Sequence, residues 1–125
     1  MNAPSRTDLA PADDRAHRRT QVVAELRAVL PPHALLWHTE DTVPYECDGL
    51  TAYRQQPLVV ALPETDAQVA EVLKVCHRLE VPVVARGAGT GLSGGANATD
   101  GCIVIALDGM DAVLEINPLE RLAVV

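Results

Sequence analysis

Three features of this sequence predict an α+β fold. Short apolar runs rich in β-branched residues occur at 58–62, 81–85 and 102–107, the first and last as in buried strands. A strong amphipathic helix lies between the first two runs. A second apolar stripe at helical spacing precedes them all.

Along the chain, residues 1–14 read as a disordered tail, polar and broken by proline. From Asp14 to Leu30 the apolar positions Val22, Val23, Leu26, Val29 and Leu30 recur at helical spacing. Pro31 and Pro32 end that helix, because a residue before proline disfavours helical angles. Residues 33–56 carry little periodicity, and one helical turn is expected near Leu35 and Leu36. The unit 15–56 is thus a helical lead-in followed by an irregular segment.

Organisation tightens after Pro57. Leu58 to Leu62 form a strand closed by Pro63. Thr65 and Gln68 then have capping-box spacing, each side chain bonding the other's backbone N–H. Val69, Val72, Leu73, Cys76 and Leu79 make one apolar stripe behind that cap. Val81 to Ala85 give the next strand, so a βαβ unit with a parallel pair and a right-handed crossover is expected. Cys102 to Leu107 follow as another buried strand. Val113–Ile116 and Leu122–Val125 are two more, turning at Asn117 and Pro118. The last strand runs to the final residue, so 57–125 is expected to be a partial domain truncated at its C-terminus.

Charge and composition exclude several functions. Net charge is −7, the wrong sign for a nucleic-acid surface. The basic group Arg15, His17, Arg18 and Arg19 reads as a solvated helix face. Three cysteines without a C-x-x-C pair fit a reducing compartment. No secretory leader and no long apolar span are present in the sequence, so the expected location is cytoplasmic, with no direct membrane span. His33 and His38 lack metal-ligand spacing, and no metal site is expected. Cys76 and Cys102 read as small core residues, while Cys47 has no assigned place. Tyr45, Asp48, Tyr53 and Arg54 stand equally as binding residues or as a packed surface loop.

The most informative stretch is Arg86, Gly87, Ala88, Gly89, Thr90, Gly91, Leu92, Ser93, Gly94 and Gly95, with five of the chain's eight glycines. A loop so poor in Cβ atoms can take left-handed angles at several successive positions. Its N–H groups can then face a common anion. Gly89, Gly91 and Gly94 match the bare dinucleotide fingerprint, but no helix can start in the residues after Gly94, so a Rossmann site is rejected. A Walker loop fails too, since Gly95 and Ala96 stand where Lys and Ser or Thr belong. A strand–loop–strand cradle remains. Backbone N–H groups are its donors, the Thr90 and Ser93 hydroxyls lie beside them, and Arg86 is the one fixed positive charge. It suits a diphosphate held without metal.

These residues, Val81 to Gly95, resemble the pyrophosphate loop of FAD-linked oxidases with a vanillyl-alcohol-oxidase type flavin domain. Pro63, the helix carrying Glu71 and Val72, and the segment Met110 to Asn117 match that layout. Pro44 to Arg54 and Val75 to Leu79 resemble the FAD subunits of bacterial glycolate oxidases. The resemblance implies the N-terminal half of a flavin domain, with FAD bound through Arg86, Gly87, Ala88, Gly89, Thr90, Gly91, Leu92, Ser93 and Gly94. Thr90 stands where some relatives carry a flavin-linking His, so non-covalent FAD is implied. Also implied are a 2-hydroxy-acid substrate (glycolate first, D-lactate next) and electron transfer to partner subunits, one an iron–sulfur protein, toward the respiratory chain. Such partners would place the protein at the inner face of the membrane. The family's catalytic base and carboxylate anchors lie outside this sequence, so no catalytic residue is assigned. Alternatives are a non-catalytic flavin-binding or nucleotide-binding module, a subunit-docking module, or the remnant of an interrupted gene.

Overall fold

A computed structural model describes residues 12–125; of the expected tail, residues 1–11 lie outside it. Helix α1 (Ala12–Leu26) begins inside that tail, with Asp13 and Asp14 in its first turn, where carboxylates complement the helix dipole. It ends at Leu26, four residues before the expected stop. The chain then tightens, with Val29 N–H bonding Leu26 O and Leu30 N–H bonding the same carbonyl.

Leu35 and Leu36 are not a helical turn. They form strand β1 (Leu35–Leu36), antiparallel to β2 (Val59–Ala61) with Leu35 opposite Ala61. A tight turn over Pro32–Ala34 leads into β1, and the short helix α2 (Thr39–Thr42) follows it. Two residues carry no readable period, so only the pairing partner reveals the strand.

Helix α3 (Asp66–Arg78) has the expected cap: Gln68 N–H bonds Thr65 Oγ1 at 3.2 Å and Glu64 N–H bonds Gln68 Oε1 at 2.7 Å. The side chain thus reaches the residue before the expected one. Its C-terminus closes with Val81 N–H on Cys76 O and Glu80 N–H on His77 O, a Schellman pair. Glu80 takes φ +52° to do so, a left-handed position that glycine would occupy with less strain.

Strands β3 (Val83–Arg86) and β4 (Ile103–Ala106) complete a four-stranded sheet of order β1-β2-β4-β3. Here the expected βαβ pair needs correction. Strands β2 and β3 are parallel to β4, not neighbours of each other; β4 lies between them, with Val60 and Val84 both opposite Val104. The glycine loop is therefore the return from the edge strand to the central one.

Strand alternation sorts the core into two faces. Val59, Ala61, Ile103 and Ile105 pack under Val22 and Leu26 of α1 and Val72, Val75 and Cys76 of α3. Val60, Cys102, Val104 and Ala106 form the opposite layer, covered by Ala98, Tyr45 and Leu36. The irregular lead-in is thus a lid on one sheet face. Arg15 and Arg18 of α1 are fasteners, not part of a solvated face. Arg15 pairs with Asp100 at 2.6 Å and donates to Gln56 O, and Arg18 donates to Leu79 O beyond α3.

A hairpin of β5 (Glu115–Asn117) and β6 (Leu122–Val124) stands apart in its own two-stranded sheet. Its apolar side chains, including Leu114, Ile116 and Leu119, are exposed. No helix among the described residues is long and apolar enough to cross a membrane.

Candidate functional site

Strand β3 ends at Arg86, and the chain runs through bends to Asn97 before re-entering the sheet. Leu107 N–H bonds Arg86 O, so the strand ladder holds the loop's first residue. Beyond it the loop's carbonyls accept bonds at Gly91 and Gly94. Among the described residues, however, no N–H from Gly87 through Ala96 donates to a carbonyl or side chain. Buried amides are almost always paired; these ten are spared because the loop lies at the surface, with Gly87, Ala88, Thr90, Gly91, Leu92 and Ser93 exposed and Gly89 and Gly94 half-buried. The Thr90 and Ser93 hydroxyls are likewise unengaged within these residues. The donors proper to an anion cradle are available.

The expected run of left-handed angles is not found. Only Gly89 (φ +71°) and Gly94 (φ +80°) adopt them within the loop. At Gly89 there is also no room for a side chain: a Cβ there would overlap the Arg86 guanidinium.

Arg86 does more than supply charge. Its Nη1 donates to Cys47 O at 2.7 Å and its Nη2 to Pro44 O at 3.3 Å, with the guanidinium 5.4 Å from the Tyr45 ring centroid. Two of its five N–H groups are therefore spent on the lead-in, fixing the cation beside Gly89. No carboxylate among the described residues pairs with it. Burial raises the Tyr45 pKa, Asp108 adds to the rise and Arg86 opposes it, so Tyr45 stays a neutral phenol.

Of the lead-in residues singled out in the sequence, Tyr45 and Asp48 are brought to the loop, whereas Tyr53 and Arg54 are exposed. Asp48 is buried, its Oδ1 accepting Leu50 N–H at 2.8 Å. Asn97 was invisible to sequence reasoning. It joins loop to lead-in through partners 44 to 49 residues away, and no local pattern announces such contacts. Cys47, unplaced before, contributes its carbonyl to Arg86.

Fold and loop together describe a sheet module that offers free amides and a fixed cation between parallel strands. A family model described as an FAD binding domain matches residues 57–125, and the chain belongs to that family, whose cofactor is FAD. It is 50% identical over 105 residues to glycolate oxidase subunit GlcD of Escherichia coli K12, covering 84% of this chain and 21% of that protein. It is 28% identical to D-2-hydroxyglutarate dehydrogenase of Stutzerimonas stutzeri, covering 82% and 22%. A crystal structure of p-cresol methylhydroxylase superposes with TM-score 0.70 at 21% identity, over 90% of this chain and 22% of the other. The α+β expectation and the resemblance to a vanillyl-alcohol-oxidase type flavin domain therefore hold. The chain spans about a fifth of the length of these curated relatives.

Proposed function

We propose that this chain is the FAD-binding part of a flavin-dependent 2-hydroxy-acid dehydrogenase, with glycolate as first substrate and D-lactate next. Residues 86–94 hold the FAD diphosphate without a covalent link. The observation that carries this reading is the run of ten amides left unspent among the described residues, beside an Arg86 that no carboxylate among them neutralises, a donor set that fits an anion. Identity to a glycolate oxidase subunit supports the substrate class.

Residues 15–56 act as a lead-in and lid, and 57–125 as the partial flavin domain. Thr90 offers a hydroxyl, not a nucleophilic imidazole, so nothing at that position forms a bond to the flavin. Bound FAD would supply a hydride acceptor, taking the α-hydrogen with both electrons of its C–H bond; the hydroxyl proton leaves separately to a base and a 2-oxo acid results. The chain's own groups bind and orient: amides and Arg86 neutralise phosphate charge, and Tyr45 packs under the guanidinium. Electrons pass on to partner subunits, an iron–sulfur protein among them. Three free cysteines support a reducing, cytoplasmic setting, with any membrane attachment made through partners.

Anaerobic reduction of the full chain with a panel of 2-hydroxy acids tests this. Bleaching of the flavin absorbance by glycolate, and less readily by D-lactate, is the expected result. A flavin that no 2-hydroxy acid bleaches would refute the proposal.

A further inference from the structure

Amides that bond to no other described residue do not hold a loop in shape, so its shape must be imposed from outside. The strand and Arg86 fix the first end. Asn97 fixes the other: its backbone N–H bonds Gly94 O at 3.2 Å, and its side chain reaches the lead-in. Oδ1 accepts Asp48 N–H at 2.6 Å, while Nδ2 donates to Leu50 O at 3.3 Å and Tyr53 O at 3.1 Å. Both amide hydrogens and the oxygen are thereby used.

Two of those bonds flank Gly49, one on each side. Between them, Gly49 N–H bonds Gly91 O at 2.8 Å. The approach is close enough that a Cβ on Gly49 would lie 2.7 Å from both Gly91 O and Leu92 Cδ2. In a trans peptide the carbonyl of one residue and the N–H of the next point opposite ways. Holding Gly91 O toward the lead-in therefore turns Leu92 N–H to the open side. The bond from Asn97 N–H to Gly94 O likewise turns Gly95 N–H away from Asn97.

We propose that Asn97 is a positioning residue for the cofactor site: it clasps residues 48–53 onto the glycine loop and so orients the loop amides toward the FAD diphosphate. The inference rests on the flavin-binding reading of residues 86–94. Asn97 acts through Gly49 and Gly91 and need not touch the cofactor.

The test is FAD titration of the full-chain apoprotein by flavin fluorescence, with visible circular dichroism of the bound flavin as a second readout. Asn97→Leu removes both donors and the acceptor at similar size. It is expected to raise the FAD Kd at least about tenfold, the scale of losing one or two part-buried hydrogen bonds, and to alter the flavin dichroism. Gly49→Ala strikes the other side of the clasp and decides the matter if Asn97→Leu fails to fold. The two effects are expected not to multiply in the double variant, as for residues in one network. Binding within about twofold of the parent and an unchanged dichroic band would overturn the clasp. Gly89→Val separates the two failures: if it loses FAD while the clasp variants keep it, only the clasp is wrong. If all three keep stoichiometric FAD, the site reading falls as well.

Discussion

Strand β4 and the loop before it are adjacent in sequence and opposite in physical character. Ile103 to Ala106 are buried, pair on both sides with β2 and β3, and sit between two apolar layers. Gly87 to Ala96 lie at the surface and bond to no other described residue through their N–H groups. The first region spends its polar groups on stability. The second withholds them, and its glycines raise the entropy that folding must overcome. Donors kept free on a frame this well ordered are what a ligand site needs: fixed position without prior commitment. The comparison also explains why the loop joins an edge strand to the central one. The strands on both sides are anchored by parallel pairing, and the bond from Gly49 N–H to Gly91 O holds the middle between them.

The largest effect is expected where the sheet is most fully packed. Ile103→Ala removes a fully buried side chain lying under both helices and should destabilise the fold by about 2–5 kcal/mol. A clear fall in the thermal midpoint of the full chain is the readout. A midpoint unmoved by this change would mean that β4 is not the centre of the frame.

Next in size comes Gly89→Val on the loop side. The substitution places a β-branched residue at φ +71° and drives its Cβ into the Arg86 guanidinium. Backbone strain of about 1–3 kcal/mol, with displacement of Arg86 from Cys47 O and Pro44 O, predicts FAD binding weakened by roughly tenfold to a hundredfold. The thermal midpoint of the apoprotein should move less than in Ile103→Ala. A purified variant with stoichiometric yellow absorbance would sink the assignment of the loop.

How much of this was legible in the sequence differs between the same two regions. Local signals survived: the apolar run at Val59–Ala61, the Thr65 cap and the stripe through Val72 and Cys76 all describe interactions within a few residues. Long-range choices did not. Placing β4 between β2 and β3, or pairing Leu35 with Ala61, depends on partners that no periodic window contains. The glycines themselves were plain. The direction of Arg86 and the bonds of Asn97 were not, because both reach into an irregular segment 39 to 49 residues away that has no readable period. Arg15 and Arg18 were misplaced for a related reason: a charged helix face looks solvated until the elements beside it are known.

The smallest effect uses the three thiols as reporters of the two regions. Burial pushes the Cys76 thiol up to about 11 and raises that of Cys102, small local hydrogen bonds opposing in each case. The fold thus favours their neutral forms. Their contribution to stability is fully present below the unfolded value near 9 and is lost as pH rises through the folded value. Cys47 sits half-buried in the lead-in, where its own carbonyl holds Arg86. Alkylation by iodoacetamide at pH 8 should therefore label Cys47 first and reach Cys76 and Cys102 only on unfolding, since the thiolate is the reacting form. FAD should slow the labelling of Cys47 and leave the other two unchanged, because only Cys47 lies against the loop. Equal labelling of all three in the native protein would show that frame and loop open together, and the contrast between them would not hold.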